Sequence, residues 1–254
     1  MQFRFDTGAA THQGCVRSLN EDRYLTQPDS GVWLVADGMG GHWGGDVAAM
    51  SITEHVASVG RAASAPDLQA RFEDRIGRAN AAIQAHSARH DGATIGATVV
   101  ALLVHEGHFA CRWAGDSRAY LMREGRLSQI SRDHTEVQEL LDRGAITPEQ
   151  AEIWPRRNVI TRAVGVREGV RLDQAVGELR DRDVFLLCSD GLTGHLEDAE
   201  IRDILAGRSP QAACDRLVEV TLDRGATDNV TVVVVRCASK TLVSGGWAAV
   251  VRGG

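Results

Sequence analysis

Asp37 closes an apolar run, Val32 to Ala36, and is followed by Gly38, Gly40, Gly41, Gly44 and Gly45. An apolar run ended by Asp-Gly predicts a buried strand that delivers a carboxylate to its tip. The glycines leave little side-chain bulk, so the backbone there can approach an ion or a phosphate closely. Three more acids hold comparable places. Asp116 stands in Gly115-Asp116-Ser117-Arg118, just after a strand expected over 107–114. Asp190 follows the apolar run Val184–Cys188, and Asp228 precedes Val230–Val235. In antiparallel sheets, strand starts and strand ends share an edge, so all four carboxylates could converge there. Gathered carboxylates raise one another's pKa unless a cation compensates. Hard oxygen donors, with no Cys or His cluster, favour Mg²⁺ or Mn²⁺ over Zn²⁺. On spacing alone two readings stand: a metal centre, or acids that each only shape a turn, where Asp and Gly are common.

Two glycine-loop motifs are excluded. A dinucleotide loop starting at Gly38 needs glycine where Trp43 stands, and a P-loop needs Lys then Ser or Thr where Asp46 and Val47 follow Gly45.

The elements that must position these acids can be read in part. Residues 2–10 alternate loosely and predict a first strand, and 14–22 are polar and turn-like. A helix is expected from Asp46, with Ala48, Ile52, Val56 and Val59 on one face. A second is expected over 66–90, with Leu68, Phe72, Ile76 and Ile83 in register. His55, His86 and His90 lie in these helices without a paired ligand pattern. β-Branched and apolar residues predict strands over 94–104, 107–114 and 117–123. Residues 131–165 are polar, with short helical pieces over 136–143 and 148–153, and read as a flap. Helices are expected over 199–205 and 211–223; Ser209, Pro210 and Gly225 bracket the second as cap, first turn and stop.

The 254 residues and 43% apolar content suit one large domain or two small ones. No linker divides them. A net charge of -6 argues against a nucleic-acid surface. No apolar run reaches about 18 residues, so no membrane span is expected, and residues 1–20 lack the form of a signal peptide. The five cysteines are scattered, with no Cys-x-x-Cys, which suits reduced thiols in the cytoplasm.

The order of the short motifs adds to their spacing. Arg17-Ser18-Leu19-Asn20-Glu21-Asp22 comes first, then Asp37-Gly38-Met39-Gly40-Gly41 and Gly115-Asp116-Ser117-Arg118. Ser189-Asp190-Gly191 and Asp228-Asn229-Val230-Thr231 complete the series. In that order they resemble the metal-dependent protein phosphatases of type 2C, in their bacterial form, over roughly residues 4–236. The resemblance implies an α+β fold, an antiparallel β-sandwich flanked by helices on both faces. It implies a phosphatase domain over 1–238, with a flap near 132–165, and a loosely ordered tail over 239–254.

The resemblance also assigns roles. Asp37 would bridge two metal ions and the Gly38 carbonyl would join one of them. Asp190 and Asp228 would complete the first ion; Asp22, with Glu21, would hold waters of the second. Asp116, with Asp190, matches the acids of a third, weaker ion. Arg17 matches the arginine that grips the substrate phosphate, a task for which its planar fork suits it better than Lys. Two cations can share a water and aim it in line at phosphorus. A phosphomonoester dianion needs charge neutralisation more than a covalent nucleophile. The chain departs from many eukaryotic members in having Met39 where they carry a histidine after Asp-Gly. A metal-held water or His42 is a candidate replacement, and His42 as a turn-structuring residue is the plainer alternative. The resulting expectation is a cytoplasmic, monomeric Mn²⁺- or Mg²⁺-dependent hydrolase of phosphoserine and phosphothreonine in proteins, opposing a bacterial Ser/Thr kinase. The rivals are a binding module on the same fold and a phosphatase of small phosphoesters.

Overall fold

The computed structural model describes residues 3–40 and 44–239. The strands are β1 (Phe3–His12), β2 (Asp22–Gln27), β3 (Val32–Met39), β4 (Gly96–Ala97), β5 (Val99–His105), β6 (His108–Ala114), β7 (Arg118–Arg123), β8 (Arg126–Gln129), β9 (Asp173–Glu178), β10 (Val184–Cys188) and β11 (Val230–Ser239). The helices are α1 (Gly45–Ala57), α2 (Ala65–Ala88), α3 (Glu136–Asp142), α4 (Pro148–Glu152), α5 (Asp190–Thr193), α6 (Asp198–Leu205) and α7 (Pro210–Asp223). One sheet has the order β1-β11-β10-β7-β8, the other β2-β3-β5-β6-β9, with β4 paired to β3 beside that path. Neighbours in both sheets run antiparallel.

The apolar runs are continuous because their strands are covered on both faces. In β3, Val32, Leu34 and Ala36 face one core while Trp33 and Val35 face another. In β11, Val230, Val232 and Val234 point outward under the helices, and Val233 and Val235 point between the sheets. Trp33, Phe109, Phe185 and Leu187 fill the layer between the sheets. Phe72, Ile76 and Ile83 of α2 cover the second sheet, and Leu217 and Val218 of α7 cover the first. The result is four layers, helices, sheet, sheet, helices, as the sequence resemblance implied.

The helix signals act where they were expected. Ser209 caps α7 by accepting from the Ala212 N–H, and Ser64, which the sequence reading did not single out, caps α2 by accepting from the Asp67 N–H. Such caps contribute about 1 kcal/mol each. The flap holds the two expected short helices, each capped by a threonine, Thr135 and Thr147.

Several boundaries differ from the sequence reading. The strand expected over 94–104 breaks at Thr98, which leaves the ladder to bond the site backbone. Edge strands β2 and β9, and the short β8, carry too many polar residues to register as strands. β11 runs past the expected strand end at Val235 to Ser239, because it pairs with β1 along the whole length of both. His42, Gly41 and the segment 240–254 lie outside the described residues.

Candidate active site

The two sheets bring their acids to one edge. Asp22 opens β2 and lies directly across from Asp37 on β3. Asp116 follows β6 on the same sheet. The other sheet supplies Asp190, at the start of α5 after β10, Asp228 before β11, and Arg17 in the segment after β1. Asp37 and Asp190 lie close enough for each to feel the other.

Neutral side chains hold the acids in place. The Ser189 hydroxyl donates to Asp22 Oδ2 at 2.7 Å and accepts from the Thr231 N–H at 3.0 Å, joining the sheets at the site. The Asn229 amide donates to the carbonyls of Gln13 and Leu19, and its oxygen accepts from the Glu21 N–H at 2.8 Å. This anchors a polar segment whose composition suggests a solvated loop. The Asp37 N–H donates to Thr98 Oγ1 at 3.1 Å, and Thr98 Oγ1 lies 2.7 Å from Ser117 Oγ. Two glycines let the elements approach this closely. A Cβ on Gly38 would run into the Gly45 carbonyl, and one on Gly191 into the Asn229 carbonyl.

Burial and mutual repulsion raise the carboxyl pKa values. Burial, opposed by Ser189 and Thr231 and reinforced by Asp190 and Asp228, pushes Asp22 up to about 7. Burial and the charge of Asp190 push Asp116 up to about 7. Asp37 lies well above the ordinary carboxylate range, through burial and then the charges of Asp22, Asp190, Asp116 and Asp228. Asp190 and Glu21 are raised as well, in each case mainly by burial. Asp46, at the start of α1, adds to the charge that Glu21 feels.

The donor set fits a hard divalent cation. Among the described residues, Glu21 Oε1, Asp22 Oδ1 and Asp116 Oδ1 are buried oxygens without a hydrogen-bond partner. An unmatched buried polar atom costs about 1–3 kcal/mol, more if charged, so such oxygens call for a proton or a cation. No three acid, histidine or cysteine side chains among the described residues already close on one point as a metal shell. Asp228 is turned to Arg17 Nη2 at 2.6 Å. Arg17 is thus ion-paired to an acid of the site, an arrangement its sequence context did not foretell. Cysteine chemistry is excluded at the core thiols. All five cysteines are free, and burial pushes Cys111 and Cys188 up to about 12, so neither is a thiolate near neutral pH.

A family model described as protein phosphatase 2C matches residues 13–223. The chain belongs to the protein phosphatase 2C family. Within it, the chain is 37% identical over 227 residues to the serine/threonine protein phosphatase PstP of Mycobacterium tuberculosis, covering 89% of this chain and 44% of PstP. The chain therefore spans less than half the length of that relative. It is 33% identical over 234 residues to the serine/threonine phosphatase stp of Listeria welshimeri, covering 89% of this chain and 93% of stp. Solved structures agree. PppA, described as a key regulatory component of the T6SS in Pseudomonas aeruginosa, superposes with a TM-score of 0.86 at 40% identity, over 93% of this chain and 98% of its own. The catalytic domain of PstP in complex with two manganese ions gives a TM-score of 0.84 at 34% identity, over 94% of this chain and all of its own. PstP and stp are named serine/threonine phosphatases, and the manganese ions are those of the PstP catalytic domain.

The motif acids Glu21, Asp22, Asp37, Asp116, Asp190 and Asp228 are all brought to one edge, with Arg17 and Gly38 beside them. Sequence reasoning missed the supports Ser189, Thr98 and Asn229, and the nearby Asp46. Ser189 and Asn229 each adjoin a site acid in sequence, which was the available signal. Thr98 had none, since a threonine suits an unbroken strand. Beside the acids, Met39 reaches a cleft of about 600 Å³ lined by Glu136, Arg156 and Arg162 of the flap and by Arg167 just after it.

Proposed function

We propose that Asp22, Asp37, Asp190 and Asp228, with Glu21 and the Gly38 carbonyl, hold two divalent cations, and that Arg17 binds the phosphoryl group of phosphoserine or phosphothreonine. One observation carries this reading: acids from two different sheets meet at one edge, with three buried carboxylate oxygens left without a partner. Bound there, Mn²⁺ or Mg²⁺ supplies positive charge to the phosphate and acidity to water. The chain's own residues do the placing. Ser189 and Thr98 fix the Asp22 carboxylate and the Asp37 backbone, so the charge of the site is preorganised and not assembled on binding. Asp37, bracketed by Asp22 and Asp190, is the acid that faces both halves of the site.

Arg17 is free to change partners at small cost. Its pair with Asp228 is solvent-exposed, 52% and 38% for the two side chains, and such pairs contribute about 0–1 kcal/mol. A phosphate dianion offers two oxygens to the same guanidinium fork, which is the stronger interaction. Asp228, once released, is available to a cation. Asp116 is assigned to a third, weaker ion together with Asp190.

The physiological substrates are proposed to be phosphoproteins of a bacterial Ser/Thr kinase pathway, met in the cytoplasm by a monomer. Five free cysteines and the net charge of -6 support that setting and argue against nucleic acid as partner. Among the described residues no helix is long and apolar enough to cross a membrane. We assign residues 1–238 to the phosphatase domain and about 132–165 to a flap that influences substrate choice. Phosphate release from a phosphothreonine peptide, measured with Mn²⁺, with EDTA, and with EDTA followed by excess Mn²⁺, tests the reading. Turnover undiminished by EDTA would remove the metal centre from it.

A further inference from the structure

His134, at the base of the flap, makes contacts that its place in a polar segment does not call for. The residue is 8% exposed. Its Nδ1 accepts from the Gly115 N–H at 3.1 Å, while its own N–H donates to the Gly115 carbonyl at 2.9 Å. Gly115 is therefore gripped from both sides by one residue. Because Nδ1 accepts, the ring proton sits on Nε2, which donates to Asp173 Oδ2 at 3.1 Å. Asp173 Oδ1 in turn accepts from Arg162 at 2.5 Å. The His134 carbonyl accepts from Thr161 at 2.8 Å, and Thr135 bridges to Ile160. Burial holds the imidazole below its usual pKa, so it is neutral and can accept.

Gly115 is the residue before Asp116. It has φ of +114°, a conformation L side chains rarely adopt, and a Cβ there would strike Thr98. On the far side of Asp116, Ser117 Oγ lies 2.7 Å from Thr98 Oγ1. The backbone carrying Asp116 is thus fixed on one side by His134 and on the other by Thr98. Asp116 itself is 7% exposed with an unpartnered Oδ1. We propose that His134 is a positioning residue: its grip on Gly115 aims the Asp116 carboxylate into the site. This rests on the assignment of Asp116 to the active site. The flap then bears on the reaction by setting one acid's position as well as by lining the cleft.

Two substitutions separate the two ends of the imidazole. Asn carries a side-chain oxygen near the Nδ1 position, and Gln carries a polar group near Nε2. His134→Asn keeps an acceptor for Gly115 and loses Asp173; His134→Gln does the reverse. Hydrogen exchange of the 113–118 segment is read first, in metal-free protein. Exchange should accelerate in His134→Gln and stay near wild type in His134→Asn. On a phosphothreonine peptide with Mn²⁺, kcat should fall about ten- to a hundredfold in His134→Gln, the scale of a misplaced catalytic group. It should stay within about threefold in His134→Asn, with KM little changed in both. A residue that only staples the fold would lower Tm in both variants and leave kcat per folded molecule unchanged, and that result overturns the proposal. Equal exchange in both variants overturns it too. Asp116→Ala run in parallel isolates the premise. If its kcat matches wild type, the role of Asp116 fails, while the exchange result still decides whether His134 grips the turn.

Discussion

Asp190 shows what one residue must do here. It follows β10, lies close to Asp37 and feels the charge of Asp228. Asp190→Asn keeps the shape and removes one negative charge from the proposed cation site. The expected outcome is near-complete loss of phosphopeptide turnover and weaker Mn²⁺ binding by calorimetry. Turnover at the wild-type rate would dismiss Asp190 as a ligand. Arg17 is a different case, since its exposed pair with Asp228 contributes little to stability. Arg17→Ala should leave Tm within about 1 °C of wild type, as expected when a surface pair is lost, and should raise KM for a phosphopeptide more than it lowers kcat. That split marks the loss of mainly ground-state binding. An unchanged KM would return Arg17 to a role in the loop alone. The site acids were legible in the sequence because each occupies a short motif at a strand tip. The ion pair of Arg17 was not, since it joins residues 17 and 228, and nothing in either motif encodes their meeting.

Elements differ in how openly the sequence declares them. β3, β10 and β11 are buried on both faces and read as unbroken apolar runs, while α7 carries Ser209 and Pro210 at its start. β2 and β9 are edge strands with few apolar residues. In β9 the burial simply alternates along Asp173–Glu178, but with so few apolar residues that no pattern stands out. The break at Thr98 was hidden for the opposite reason: a β-branched residue just before two valines suits a strand, and only the position of Asp37 gives it other work. The flap was legible as a polar stretch with two short helices. Its Arg156 pairs with Glu136 at 2.9 Å and lines the cleft beside Met39. Arg156→Ala should therefore change kcat/KM among phosphopeptides of different flanking sequence. Hydrolysis of a small aryl phosphate, which does not reach the flap, should hold within about twofold, since an exposed pair of this kind contributes about 0–1 kcal/mol. Equal changes on both substrates would count against selectivity.

For the molecule as a whole, the acid cluster links stability to pH and to metal. With no cation bound, Asp22 and Asp116 titrate near 7 in the folded chain. In the unfolded chain they titrate near the usual aspartate value of about 4. Between those values the folded state holds more protons than the unfolded one, so stability falls as pH rises through that window. A cation displaces those protons and removes the penalty, so its own contribution grows as pH rises. Melting curves with EDTA and with Mn²⁺ at pH 6 and pH 8 should show a larger Mn²⁺-induced rise in Tm at pH 8. The same rise at both values would mean that the acids do not give up protons to the metal.

Phe109 and Phe185 meet edge to face between the sheets, with ring centroids 4.9 Å apart. They belong to β6 and β10, the strands that lead into Asp116 and Asp190. Asp22, Asp37 and Asp116 ride on one sheet, Asp190, Asp228 and Arg17 on the other, so catalysis samples the alignment of two stacked plates. A slip of one residue along a strand is about 3.4 Å, far more than a coordination shell tolerates. The aromatic layer therefore acts as a set of dowels, and a position can be essential to turnover without ever meeting substrate. Mutational tolerance measured by activity should be lowest in two places, the ring of acids and this inner layer. Tolerance measured by folding alone should single out only the second.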